Sequence, residues 1–136
     1  EYRPGHFNGM LTIVLKMHCL TLPTRSYFGE KDYQQYQLIK DMIEAYLLPT
    51  EVIACPIIRA DNNLALSSRN NRLSKDEIIH AANFSNLLKD EKLSDEQIIN
   101  KLSMLNFKID YIQTTNNRRF GAVYLNDGRL IDNVEL

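Results

Sequence analysis

Long apolar runs are missing from this chain: none approaches the ~20 residues that a membrane-spanning helix needs, so no membrane partner is expected. Charge of one sign is missing as well, since 16 Lys and Arg stand against 17 Asp and Glu for a formal net charge of −1. Without a global field to gather nucleic acid or anionic lipid, any anion site must be local, and no nucleic-acid partner is expected. Cysteine is scarce, with Cys19 and Cys55 as lone thiols and no C-x-x-C pair. That spacing argues against zinc and dithiol redox sites and predicts buried, reduced cysteines, as in a cytoplasmic protein. His6, His18 and His80 never fall four residues apart, so no helical metal box is expected. Repeats and low-complexity segments are absent. The opening Glu1-Tyr2-Arg3-Pro4-Gly5-His6 has neither an initiator Met nor a signal peptide, which predicts a chain that begins inside a longer protein.

What is present fits a soluble globular chain: 136 residues, 44% hydrophobic and 24% charged, enough for one domain or two small lobes. Behind the Pro4-Gly5 turn, Met10, Ile13, Val14 and Met17 keep a helical period that predicts a helix over 7–20 with Pro23 beyond its end. Ser26-Tyr27-Phe28 reads as a buried strand cut off by Gly29. A second helix is predicted over 32–47, with Tyr36, Ile39, Ile43 and Tyr46 on one face. Val52 to Ile58 is almost unbroken apolar sequence, the pattern of a parallel strand covered on both faces. This alternation predicts an α/β unit.

The pattern changes after Asn70, and a lobe boundary is placed near Asn71 to Ser74, giving a first part over 1–72 and a second over 73–136. Ser74 with Glu77 and Ser94 with Gln97 are capping boxes, each opening an amphipathic helix: Ile78, Ala81, Ser85 and Leu88 line one, Ile98, Leu102 and Leu105 the other. Phe107 to Ile112 alternates as a strand, and Asn126-Asp127-Gly128 between apolar runs signals a β-hairpin. The second part is therefore a small α+β lobe with two helices and a hairpin.

Two segments carry chemistry. Gly29-Glu30-Lys31-Asp32-Tyr33-Gln34-Gln35 and Leu66-Ser67-Ser68-Arg69-Asn70 each place a cation and small hydrogen-bonding groups at a turn that opens a helix, where backbone N–H groups and the helix dipole favour phosphate. Alone, Lys31 and Asp32 read as solvated charges at a helix start, and Ser67 to Asn70 as a plain turn and cap. Together, just after Phe28 and after Ile58, they fall where open parallel sheets bind ligands, which predicts one shared nucleotide site. His6 either reaches a ligand or caps its helix, His18 and His80 read as structural or surface groups, and Arg118-Arg119 reads as a solvated turn, with contact to a partner as the alternative for a basic pair.

Arg3-Pro4-Gly5-His6-Phe7-x-Gly9, Tyr27 to Gln35, Arg59 leading to Leu64-Ala65-Leu66-Ser67-Ser68-Arg69-Asn70, and Arg129-Leu130-Ile131-Asp132-Asn133 together resemble the pantothenate synthetase family in order and spacing. The resemblance implies a nucleotidyltransferase-type, Rossmann-like α/β fold and an ATP-dependent ligase joining pantoate to β-alanine. In that scheme pantoate's carboxylate attacks the α-phosphorus of ATP, giving pantoyl adenylate and pyrophosphate, and β-alanine's amine displaces AMP. It puts Gly29, Glu30, Lys31, Asp32, Ile58, Leu66, Ser67, Ser68 and Arg69 on ATP, with Lys31 nearest the phosphates, Asp32 on the ribose and the backbone of Ile58 at the adenine. Gln35 is implied to bind pantoate, and Lys31, Ser67, Ser68, Arg69 and His6 to serve catalysis, with Mg2+ bridging the phosphates and no protein metal ligand. A homodimer is implied too. Asn62-Asn63 stands where the family usually has Asp-Gly, and the family's amino-terminal half, with its own histidine motif and a second pantoate-binding glutamine, has no counterpart here, so this chain alone is expected to be inactive. The rivals are another adenylyl-transferring enzyme of the same fold and a non-catalytic binding or assembly module.

Overall fold

A computed structural model describes residues 5–126 and 128–136, in two compact units, Glu1–Pro56 and Ile57–Leu136. In the first, helix α1 (His6–Thr21) starts behind Gly5, whose φ of 75° is the left-handed turn that glycine adopts without a steric penalty. Strand β1 (Arg25–Gly29), helix α2 (Tyr33–Ala45) and strand β2 (Glu51–Cys55) follow. β1 and β2 pair in parallel from Arg25 opposite Glu51 to Gly29 opposite Cys55. The α/β unit expected from the alternation of periods is therefore present.

Ile39, Met42 and Ile43 of α2 form the centre of this unit, with Met10, Leu11, Val14 and Leu15 of α1 and Phe28 and Val52 of the strands against them. The packed stripe of α1 differs from the predicted one: Met10 and Val14 belong to it, whereas Ile13 and Met17 are exposed. Tyr46 likewise lies outside the packed face of α2, because the helix ends at Ala45. β2 stops three residues earlier than the apolar run suggested. Pro56 offers no N–H to continue a ladder, and in β2 Glu51 is exposed and residues 52–55 are half-buried rather than covered on both faces. Cys19 is exposed and Cys55 half-buried, so the expectation of two buried thiols fails, most plainly for Cys19; both are unpaired. His18 is buried, with Nδ1 donating to the Val14 carbonyl at 2.8 Å and its ring stacked on Phe28.

In the second unit, helices α3 (Lys75–Leu88) and α4 (Asp95–Met104) precede strands β3 (Lys108–Thr115), β4 (Arg118–Leu125) and β5 (Gly128–Glu135), an antiparallel sheet in the order β3-β4-β5. Both capping boxes form as read: Ser74 and Ser94 each accept from the backbone N–H three residues on, and Glu77 and Gln97 reach back to the cap N–H. Phe84, Leu88, Ile98, Leu102 and Val123 are fully enclosed in one core. The helix layer touches the sheet at Gly121, where an added Cβ would sit 2.7 Å from Leu88 Cδ1 and 2.8 Å from Phe84 Cε2.

The compositional change near Asn71 to Ser74 falls inside this unit, at the start of α3. The segment before it is tied to the sheet by Leu64, which enters the core, and by Arg59, which pairs with Asp132 at 2.7 Å. The Asn126-Asp127-Gly128 turn lies between β4 and β5 as expected, with Asp127 outside the described residues. A second tight turn joins β3 to β4, formed by Asn116 and Asn117 at φ 50° and 59°. Two successive residues at positive φ match the twist of a hairpin, and asparagine tolerates that region better than most residues.

Arg118 and Arg119 therefore begin β4 and do not form a solvated turn. Arg119 is 4% exposed, and its guanidinium donates to the carbonyls of Leu88, Asp90 and Leu93 at 2.8–3.0 Å and to Asp95 at 3.1 Å. It gathers the carbonyls at the end of α3 and in the following turn, groups a helix terminus leaves without intrahelical partners. His80 is structural: Nε2 donates to the Leu105 carbonyl at 2.8 Å and the ring stacks on Phe107 at 4.8 Å.

Candidate active site

In the first unit, Gly29 closes β1 and Glu30–Asp32 make a single 3-10 turn that leads into α2. Gly29 has φ −70° and ψ 134°, which any residue can adopt, so its conformation does not require glycine. What its missing side chain provides is room, since nothing lies within 4 Å of the position a Cβ would take. Asp32 precedes the first turn of α2 and makes no side-chain cap bond there. Gln35 follows within that first turn and is half-buried. Gly29, Glu30, Lys31, Asp32 and Gln35 thus run from the carboxyl end of a parallel strand to the amino end of a helix, a place where backbone N–H groups and the helix dipole favour an anion.

His6 is the first residue of α1 and exposed, its ring 5.5 Å from that of Phe7. Arg3 and Pro4, which precede it in the same motif, lie outside the described residues.

The remaining candidates belong to the second unit. Leu66 to Arg69 do not directly follow β2, contrary to the expectation of two equivalent strand ends. They follow a narrow antiparallel bridge between Arg59 and Ala65, whose connecting turn holds Asn63 at φ 70°. Asparagine tolerates positive φ better than most residues, which lets Asn63 hold this turn without a glycine. Asn62 Oδ1 accepts from Leu64 N at 3.2 Å, and Asn63 is bonded to Asn86 at 2.9 Å and Lys89 at 3.0 Å. Ile58 lies outside any strand, with an exposed side chain, and its carbonyl accepts from Leu66 N at 2.9 Å.

Ser67 caps a 3-10 turn over Ser68–Arg72, its Oγ accepting from Arg69 N at 3.3 Å. Ser68 and Arg69 are exposed. A groove of about 650 Å³ lies at this loop, lined by Leu66, Ser67 and Ser68 together with the apolar side chains of Leu64, Leu73 and Ile78. Hydroxyls beside an apolar wall suit a ligand with both a polar and a flat apolar part.

Beneath the loop lies a buried ion pair that individual residue types could not reveal. Asp132, 1% exposed, accepts from Arg59 Nη1 at 2.7 Å and Nη2 at 3.0 Å, from Ser85 Oγ at 2.7 Å and from Asn133 N at 2.8 Å. Both residues stood within motifs noted in the sequence, yet a 73-residue separation hid their pairing. Among the described residues, no three His, Cys, Asp or Glu gather so as to hold a metal, and no helix is long and apolar enough to cross a membrane.

A family model described as pantoate-beta-alanine ligase matches residues 1–135. The pantothenate synthetase of Coxiella burnetii (strain Dugway 5J108-111) is 50% identical over 134 residues, 98% of this chain and 52% of that protein. That of Legionella pneumophila (strain Corby) is 47% identical over 133 residues, with the same shares. Among solved structures, a pantoate-beta-alanine ligase from Francisella tularensis, complexed with beta-gamma ATP and β-alanine, aligns with a TM-score of 0.89 at 44% identity. It covers 98% of this chain and 52% of that one. Pantothenate synthetase from Thermus thermophilus aligns with a TM-score of 0.83 at 31% identity, over 98% of this chain and 57% of the other. The chain spans about half the length of the relatives it matches.

Proposed function

The chain belongs to the pantoate–β-alanine ligase family, and from that premise we propose that its residues supply part of a site that joins pantoate to β-alanine at the expense of ATP. Pantoyl adenylate is the intermediate, with pyrophosphate and then AMP released. The observation that carries the reading is the Gly29–Asp32 turn between a parallel strand and a helix, in a chain whose F. tularensis relative was solved with beta-gamma ATP and β-alanine.

The chemistry asks little beyond placement and charge. Pantoate's carboxylate is already ionised at neutral pH, so attack on the α-phosphorus needs no general base. Lys31 and Arg69 neutralise charge developing on the phosphates, Ser67 and Ser68 donate hydrogen bonds to them, and Asp32 holds the ribose. The backbone of Ile58 meets the adenine, Gln35 binds pantoate through a neutral amide that adds no charge, and His6 stands at the site's margin. Mg2+ would supply further charge neutralisation at the phosphates when bound; among the described residues no cluster of His, Cys, Asp or Glu would hold it. A complete site takes the further length that the relatives possess, and these residues by themselves do not turn over substrate. The family resemblance supports a cytoplasmic homodimer as the working form.

The test is AMP release by this chain supplied together with the amino-terminal half of a relative. Release is expected only with pantoate and β-alanine both present, and AMP formed with neither refutes the assignment. Gln35→Ala should raise the KM for pantoate at least tenfold more than that for ATP. Equal losses would favour a different acceptor.

A further inference from the structure

The Leu66–Arg69 loop is closed at its base by one side chain. Asn70 Nδ2 donates to the Ala65 carbonyl at 3.0 Å, joining the residue just after the loop to the residue just before it. Ala65 is a fixed anchor: it is 4% exposed, pairs with Arg59 across the narrow bridge, and Arg59 is locked onto the buried carboxylate of Asp132. Asn70 also ties the loop through its own backbone, donating N–H to the Ser67 carbonyl and accepting from Leu73 N, each at 3.0 Å. Between these ties, Leu66, Ser68 and Arg69 are exposed, with Leu66 N donating to the Ile58 carbonyl at 2.9 Å and Arg69 N to Ser67 Oγ at 3.3 Å.

We propose that Asn70 is a positioning residue, whose side-chain amide holds the Ser67–Arg69 loop in a phosphate-ready shape before any ligand arrives. The proposal rests on the reading that this loop receives the phosphates of ATP. Asn70 reaches no ligand itself in this scheme; it acts by raising the fraction of molecules whose loop is already formed, which lowers the apparent Kd of whatever binds there. An amide is required. An aspartate has the same shape but no N–H, and would set a carboxylate against a carbonyl oxygen.

The test compares Asn70→Ala and Asn70→Asp in the 136-residue chain. Amide hydrogen exchange at residues 69 and 70 should quicken roughly two- to twelvefold in both variants, the range expected for loss of one ordinary hydrogen bond, while amides in the middle of α3 are unchanged. In the chain joined to a relative's amino-terminal half, the KM for Mg-ATP should rise by no more than that factor. Unchanged loop exchange, or Asn70→Asp behaving as wild type, overturns the proposal, since shape alone would then suffice. A loop that loosens with no change in the KM for Mg-ATP also overturns it, leaving a tie of purely structural effect. If the joined wild type has no ATP-dependent activity, the functional reading fails, and the exchange data still decide whether Asn70 orders the loop.

Discussion

Replacing Asp132 with alanine removes the acceptor on which two segments 73 residues apart converge. The side chain is 1% exposed and Arg59's is 16% exposed, so neither charge is well solvated, and the substitution also leaves the Ser85 hydroxyl, on a fully buried residue, without its acceptor. Breaking a buried pair by deleting one partner costs about 3–5 kcal/mol. A unit of this size holds about 4–12 kcal/mol in total, so the variant should be near or past the limit of stability. In urea, with a slope of about 1–3 kcal/mol per M, the unfolding midpoint should fall by roughly 2 M. Arg59→Met should cost a similar amount because it strands the carboxylate. The double variant Arg59→Met/Asp132→Leu should recover much of the loss, because hydrophobic replacement of a buried pair is often close to neutral. Circular dichroism across a urea titration reads all four proteins. A loss below about 1 kcal/mol for Asp132→Ala, or a double variant no more stable than Arg59→Met alone, would refute the claim that the two residues act as one buried unit.

Arg119→Met should destabilise by about 3 kcal/mol or more in the same titration, because three carbonyls and Asp95 lose one shared donor; Arg119→Lys should recover little, since an ammonium cannot reproduce the planar fork. Gly121→Ala should cost about 1–3 kcal/mol, read as a fall in thermal midpoint of at least about 4 °C, since its Cβ meets Leu88 and Phe84 side chains below 3.0 Å. Bonds from the Ser74 backbone N–H, the Ser74 hydroxyl and Asn126 hold the Glu77 carboxyl below its ordinary value of 4.5. Its stabilisation is therefore fully present above that value and disappears as pH falls through the folded-state pKa. Glu77→Gln should flatten the acid limb of a stability–pH profile, and an unaltered limb would contradict this assignment.

How far the sequence was legible depended on the range of the interaction. Ser74 with Glu77 and Ser94 with Gln97 could be read because a capping box is complete within four residues. The parallel pairing of β1 and β2 followed from the helix between them. The Asn116-Asn117 turn had a local signal too, two asparagines between alternating runs, and Arg118-Arg119 next to it drew the turn to the wrong place. Arg119 was misread because a buried arginine needs several acceptors at once, and its acceptors come from Leu88, Asp90, Leu93 and Asp95 on a distant stretch of chain. Periodicity found that α1 is a helix but not which stripe packs, since that depends on where Ile39, Met42 and Ile43 stand.

By itself, the sequence determined the kinds of element, the caps that start two helices, the family, and the Gly29–Asp32 turn, because each depends on residues close together in the chain or on motifs kept in order. Tertiary structure alone decided that the Arg59–Arg69 segment belongs with the carboxyl-terminal sheet, and that the Ser67–Arg69 loop stands on Ala65, Arg59 and the buried carboxylate of Asp132. A charge can stay buried only where folding brings its partner to it, and nothing local in the chain records that meeting.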